Sequence, residues 1–285
     1  MTPSSVATRL HQIIGMSPAD IRPLHGGMIG QVFRVELPDG RTVVAKTSDA
    51  NGTLDIEGYM LRYLAEHSSL PVPDVLHSEP SLLIMTFVAG NSHFTEAVER
   101  HAADLLAAFH AITAPAFGLE RDTLIGPLHQ PNPWTPSWIA FFRDHRLRYM
   151  ARLAADSGQL PTAMLARIER LAGKLDTLLE EPDRPALIHG DIWATNVLAD
   201  AGHVTAFLDP ALSYAHNEME LAYISLFNTF GAAFFERYHA LRPIEPGFFE
   251  VRRDIYNLYP LLVHVRLFGG GYIGSVDRIL RRFGI

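Results

Sequence analysis

The sequence contains no cysteine. Disulfides, thiolate metal sites, zinc ribbons, iron–sulfur clusters and cysteine nucleophiles are excluded, so any chemistry must use oxygen and nitrogen groups. A basic excess is missing too: 24 Lys+Arg stand against 31 Asp+Glu, a formal net charge of −7, which argues against nucleic acid or an anionic membrane as partner. No apolar run reaches membrane-spanning length, because the stretch 259–272 is interrupted by His264 and Arg266. The segment Met1-Thr2-Pro3-Ser4-Ser5 lacks a basic region followed by an apolar one, so a cytoplasmic protein is expected. Internal repeats and low-complexity tracts are absent. What is present is a chain of 285 residues, 48% hydrophobic, enough for two domains or one large domain with two lobes.

Apolar spacing predicts a leading helix over 4–14. From 21 to 46 the pattern changes to strand, glycine-bearing turn, strand, turn, strand. Gln31-Val32-Phe33-Arg34-Val35-Glu36-Leu37 alternates, Pro38-Asp39-Gly40 turns, and Arg41-Thr42-Val43-Val44-Ala45-Lys46 follows, which reads as an antiparallel meander. A helix over 54–67 carries Glu57 one turn before Leu61, and Pro71 and Pro73 end it. An apolar strand over 82–88 precedes Ala89-Gly90-Asn91, where the chain leaves the sheet, so a boundary after Val88 divides the chain into 1–88 and 89–285. The remainder is predicted mainly helical, over 97–111, 138–157, 162–181, 217–240 and 248–268. Between 185 and 210 the helical period disappears. Short strands at 186–188, 196–199 and 205–208 each end near a polar residue, and a site is expected there.

That segment holds His189-Gly190-Asp191-Ile192-Trp193-Ala194-Thr195-Asn196, with Asp209 at the end of the third strand. Phosphoryl transfer explains the spacing. One loop can bring the Asp191 carboxylate to an attacking hydroxyl, while the Asn196 amide oxygen and the Asp209 carboxylate hold Mg²⁺ against nucleotide phosphates. Upstream, Lys46 ends a strand and can reach α- and β-phosphate oxygens, with Glu57 fixing its flexible stem. Between the first two strands, Gly26, Gly27 and Gly30 remove side chains where backbone N–H groups would approach phosphate. Glycine turn, lysine, glutamate, loop and metal aspartate follow in the order that a kinase requires.

Taken together these residues resemble the protein-kinase-like superfamily and, within it, the fructosamine kinase (ketosamine kinase) family, relatives of the aminoglycoside phosphotransferases and choline kinases. The segment 189–197 is similar to that family's HGDLWxGN, and Asp209-Pro210-Ala211 to its DPA. Tyr214-Ala215-His216-Asn217-Glu218-Met219-Glu220-Leu221-Ala222 is similar to YGHREAELA, and 261–272 to LLNHLNLFGxxY. The resemblance covers nearly the whole chain. It implies an α+β, two-lobed kinase-like fold, a small antiparallel sheet lobe and a larger helical lobe with ATP between them. The implied activity is Mg²⁺-ATP-dependent phosphorylation of a sugar hydroxyl on a ketoamine, the 3-phosphate then destabilising the adduct and freeing the amine. The partner would be a small-molecule ketoamine or a glycated protein; no oligomeric state is implied. It further implies that Asp191 is the catalytic base, that Asn196 and Asp209 are Mg²⁺ ligands, that Lys46 and Glu57 anchor phosphate, that Met85, Thr86, Phe87 and Val88 line or contact adenine, and that Trp193 and His264 line the sugar site. Val263 and Val265 replace two asparagines of the family pattern, which bears on substrate specificity.

Plainer readings stand beside these. Asp191 and Asn196 could merely stabilise a turn, and Lys46 with Glu57 could be a surface ion pair. Glu218 and Glu220 either bond loop amides or simply open a helix. His189 reads as a brace for the loop, and Trp134 and Trp138 as core. The scattered histidines suggest no zinc site. Competing functions are a kinase for another hydroxyl compound, such as an aminoglycoside or amino alcohol, and a nucleotide-binding pseudokinase.

Overall fold

The computed structural model describes residues 3–24 and 30–285, so Gly26 and Gly27 of the glycine turn lie outside the described residues. In chain order the elements are α1 (Pro3–Ile14), β1 (Asp20–Leu24), β2 (Gln31–Glu36), β3 (Thr42–Thr47), α2 (Leu54–His67), β4 (Val75–Glu79), β5 (Leu82–Thr86) and α3 (Glu96–Phe109). Then come β6 (Thr123–Ile125), β7 (Leu128–Gln130), α4 (Trp138–Phe142), α5 (Tyr149–Asp156), α6 (Thr162–Ala172), β8 (Ala186–Ile188), β9 (Val197–Asp200), β10 (His203–Phe207) and β11 (Ser213–Ala215). The chain finishes with α7 (Asn217–Leu226), α8 (Ala232–Leu241), α9 (Arg253–Phe268) and α10 (Ile273–Arg282). Among the described residues no helix is long and apolar enough to cross a membrane.

These elements form two compact units. One runs to Ala102 and takes in Ala194–Pro210; the other comprises Ala103–Trp193 and Ala211–Ile285. The division differs from a single cut after Val88, for a physical reason. Asn91 and Ala199 exchange backbone hydrogen bonds at 2.9 and 2.8 Å, and Phe207 donates to the Pro71 carbonyl at 2.8 Å. The β9–β10 hairpin and the segment after Val88 are thereby tied to the sheet unit.

In the first unit an antiparallel sheet has the order β1-β2-β3-β5-β4. The two-residue period sorts its side chains. Phe33, Val35, Val43 and Ala45 pack with Val6 and Leu10 of α1, whereas Val44, Leu83 and Met85 pack with Leu54 and Leu61 of α2. Each fully buried Leu or Val contributes about 1.5–3 kcal/mol. The sheet therefore has a helix on each face, and Lys46, two residues after Val44, belongs to the α2 face.

In the second unit α9 is buried along most of its length, packed by α5, α7 and α10. The predicted helices needed corrections, beginning with the helix over 138–157, which a π-helical segment, Arg143–Arg148, divides into α4 and α5. The helix over 162–181 stops at Ala172, where Gly173 follows, and only a short 3-10 turn, Leu175–Thr177, comes after. The helix over 217–240 is two, because Asn228 adopts a left-handed φ of 49° and Gly231 starts α8 anew. The segment over 248–268 opens with a π-helical turn, Phe248–Arg252, before α9. Trp138 is buried as expected, but Trp134 precedes α4 and is 48% exposed, because Pro133 and Pro136 keep that stretch out of the helix.

Candidate active site

Three of the expected charged residues meet in the first unit. Lys46 Nζ donates to Oε1 of Glu57, in the first turn of α2, at 2.7 Å, and also donates to Oδ1 of Asp209. Lys46 and Glu57 are nearly buried, while the Asp209 side chain is 41% exposed. Burial alone would lower the lysine's pKa, but the carboxylates of Asp209 and Glu57 outweigh it and hold the ammonium above its ordinary value. Burial pushes the Glu57 carboxyl above the usual range; Lys46 opposes this and Asp209 adds to it.

A cavity of about 500 Å³ opens beside this cluster, within the range of small-ligand sites. Lys46 and Asp209 line it together with the apolar Val32 and Val44 and with Met85, Thr86, Phe87 and Val88. The N–H of Thr86 is bonded to the Asp74 carbonyl at 2.9 Å and that of Phe87 to the Thr42 carbonyl at 3.2 Å. At the start of β2, Gly30 has φ +72°, and a Cβ there would lie 1.9 Å from the Thr47 carbonyl oxygen, so only glycine fits.

Asn196 and Asp209 come together through the hairpin. Antiparallel pairing of Val197 with Phe207 places Asn196 beside Leu208, whose N–H donates to the Asn196 carbonyl at 2.9 Å, and Asp209 is the next residue. Asp209 has a left-handed φ of 52°, a conformation that aspartate tolerates better than most residues. Among the described residues no group of three or more His, Asp or Glu could hold a metal. Two oxygen ligands suit Mg²⁺, which commonly takes one or two protein oxygens and completes its shell with phosphates and water.

Asp191 lies in the second unit, on a loop braced from α7. Gly190 has φ +84°, with the Ala211 carbonyl 2.4 Å from where a Cβ would sit. Its N–H donates to Glu220 Oε1 at 2.6 Å. Behind it runs an oriented chain: Asn217 donates to Tyr238, whose hydroxyl bonds His110 Nδ1 at 2.7 Å, and His110 Nε2 bonds Glu220 Oε2 at 2.8 Å. His189 Nδ1 accepts from the Asp191 N–H at 3.3 Å, and Thr229 holds the Ile192 carbonyl at 3.1 Å. Glu220 therefore bonds a loop amide, whereas Glu218 forms a buried two-pronged pair with Arg252 at 2.6 and 2.7 Å.

The carboxylate of Asp191 accepts from the Tyr223 hydroxyl. Trp193 and His264 are joined through Phe227, at ring separations of 6.1 and 5.0 Å, and His264 also meets Tyr272 at 4.8 Å. His264 Nδ1 bonds the Pro260 carbonyl at 2.8 Å and so carries the proton, leaving Nε2 as the acceptor; burial lowers its pKa and keeps it neutral. Val263 and Val265 are buried in the packing of α9. Sequence reasoning missed Tyr223, Phe227 and His110. The available signal was the spacing of Glu220 and Tyr223, which puts them on one face of α7, with Phe227 at its C-terminal cap.

Known proteins resemble this chain over nearly its whole length. The fructosamine kinase family profile matches residues 3–283. A candidate ketoamine kinase of Enterococcus faecium is 30% identical over 266 residues, covering 92% of this chain and 94% of its own length. The chloroplastic protein-ribulosamine 3-kinase of Arabidopsis thaliana is 33% identical over 265 residues, 90% of this chain and 79% of that protein. A match to a candidate ketoamine kinase of Synechocystis, at 40% identity, spans 59% of that protein's length. A candidate fructosamine-3-kinase from Thermobifida fusca superposes with a TM-score of 0.87 at 31% identity, covering 98% of both chains. An aminoglycoside phosphotransferase solved with ADP and hygromycin B superposes with a TM-score of 0.71 over 97% of this chain and 98% of its own, and at 21% identity shares the kinase-like fold alone. The chain belongs to the fructosamine kinase family.

Proposed function

We propose that this kinase transfers the γ-phosphoryl group of ATP to the sugar 3-hydroxyl of a ketoamine, a fructosamine or ribulosamine carried on a free amine or on a glycated protein, in the cytoplasm. The observation that carries the reading is the Lys46 ammonium clasped by Glu57 and Asp209 at the wall of a nucleotide-sized cavity. The choice of ketoamine rests on the activity named for the relatives, among them a protein-ribulosamine 3-kinase.

On this reading Lys46 binds the α- and β-phosphate oxygens and Glu57 holds its stem. Val32, Val44 and Met85 wall the adenine. Of Thr86, Phe87 and Val88, Val88 supplies the backbone donor, because the N–H groups of the other two are already bonded. Gly26, Gly27 and Gly30 keep side chains away from the phosphates. Asn196 and Asp209 are the oxygen ligands for Mg²⁺, which, when bound, neutralises charge on the phosphates. Asp191 orients the acceptor hydroxyl and takes its proton as the new oxygen–phosphorus bond forms and the bond from the γ-phosphorus to ADP breaks. Trp193 packs against the sugar, and His264 Nε2 accepts a hydrogen bond from one of its hydroxyls. The 3-phosphate product is a destabilised adduct, so the reaction serves to remove the sugar from the amine.

The test is ATP-dependent phosphorylation of a ribulosamine or fructosamine, with wild type compared with Asp191→Ala. Turnover by the wild type and loss of at least a hundredfold in the variant are expected. Equal rates would sink the role of Asp191, and an inert wild type would sink the acceptor assignment.

A further inference from the structure

Glu220 and Tyr223 lie on one face of α7, one turn apart, and Phe227 follows as the residue that caps its C-terminal end. Each meets a different part of the loop. Glu220 takes the N–H of Gly190, Tyr223 bonds the side chain of Asp191, and Phe227 packs against Trp193. The helix therefore reads the loop almost residue by residue. Tyr223 is buried, and burial together with the Asp191 carboxylate keeps its phenol protonated, so it can only be the donor in this bond.

The consequence is chemical. The χ2 torsion of an aspartate is broad and roughly two-fold, so a carboxylate on a short loop rotates unless something holds its plane. A charge-assisted hydrogen bond to Oδ1 supplies that hold and directs Oδ2 to be the oxygen that faces an incoming hydroxyl. Glu220 and His189 bond the backbone of the same loop.

We propose that Tyr223 is a positioning residue for phosphoryl transfer, holding Oδ1 of Asp191 so that Oδ2 receives the acceptor's proton. The inference rests on the reading of Asp191 given above.

Tyr223→Phe removes the hydroxyl and keeps the ring. It is expected to lower kcat about tenfold while KM for ATP stays within twofold. A purely structural role would instead lower stability or nucleotide affinity. Because Tyr223 acts through Asp191, the same substitution in an Asp191→Ala background is expected to change the residual rate by less than twofold. An unchanged or raised kcat in the single variant overturns the proposal, as does an equal loss in both backgrounds. A second readout needs no acceptor: a downfield phenolic proton resonance, lost in Tyr223→Phe and moved in Asp191→Asn. A resonance that ignores Asp191→Asn overturns the proposal as well. Should the wild type phosphorylate no ketoamine, the acceptor assignment fails alone, and the same cycle run on ATP hydrolysis to water decides the role of Tyr223.

Discussion

Both units bury charge, and they use it differently. In the first, Lys46, Glu57 and Asp209 sit at the wall of the cavity, so the buried ions are themselves the candidate machinery. In the second, the pair of Arg252 with Glu218 and the bonds of Arg146 to Pro131 and Asn132 lie in the scaffold, while the candidate acceptor face is a single carboxylate among aromatic rings. The contrast follows from the ligands. A polyphosphate needs a fixed cation, whereas a sugar offers hydroxyls and C–H faces that a neutral histidine and aromatic planes complement. Charge in the second unit is thus free to hold the frame.

Arg252→Met is the severest way to break that comparison. It strands the Glu218 carboxylate in a buried site and is expected to cost about 3–5 kcal/mol in urea unfolding. Protein that remains folded should keep its KM for both substrates. A stable variant with altered KM would show that this pair belongs to the site after all. The double variant Arg252→Met, Glu218→Leu is expected to recover most of the loss, because it removes the charge along with its partner.

Lys46→Met should do the reverse. Turnover is expected to fall about 10²–10³-fold, the scale of losing one preorganised electrostatic contact to a transition state. Unfolding free energy should fall by less than in Arg252→Met, because Glu57 and Asp209 keep more contact with water, at 13% and 41% exposure, than Glu218 at 3%. A large stability loss with turnover retained would make Lys46 a structural ion pair, the plainer of the two sequence readings.

The same contrast explains what was legible in the sequence. Lys46, Glu57, Asp191, Asn196 and Asp209 could be ordered in advance because polyphosphate and metal chemistry admits few residue types and a fixed chain order. The five-stranded sheet was readable mainly from period-two alternation in β2, the turn after it and the apolar runs of β3 and β5, whereas β4, with the pattern Val-Leu-His-Ser-Glu, carries no alternation to read. The acceptor side was harder. Tyr223 and Phe227 are ordinary core residue types, and α7 is buried over most of its length, so no polar face marked the row that meets the loop. The break at Asn228 was hidden because asparagine in a left-handed conformation has no periodic signature. The membership of the β9–β10 hairpin in the first unit depends on long-range backbone bonds to Pro71 and Asn91, which no local pattern encodes.

The smallest expected effect concerns the frame that aims α7. His216 caps this helix, its Nδ1 accepting from the Glu218 N–H at 3.1 Å. Burial first, and then the charge of Arg252, lowers its pKa to about 3. The unfolded chain takes up a proton near pH 6.5, where the folded protein does not, so stability falls as the pH drops from about 6.5 toward 3. By pH 5 the loss from this group is about 2 kcal/mol. Glu218, whose carboxyl burial raises against the opposing pull of Arg252, offsets part of the slope in acid, and does so with or without the histidine. His216→Asn keeps a capping oxygen and removes the titration, so its unfolding free energy should vary less between pH 7 and 5 than that of the wild type. Parallel curves would mean that His216 accepts a proton in the folded state, and that the start of α7 tolerates a cation beside Arg252.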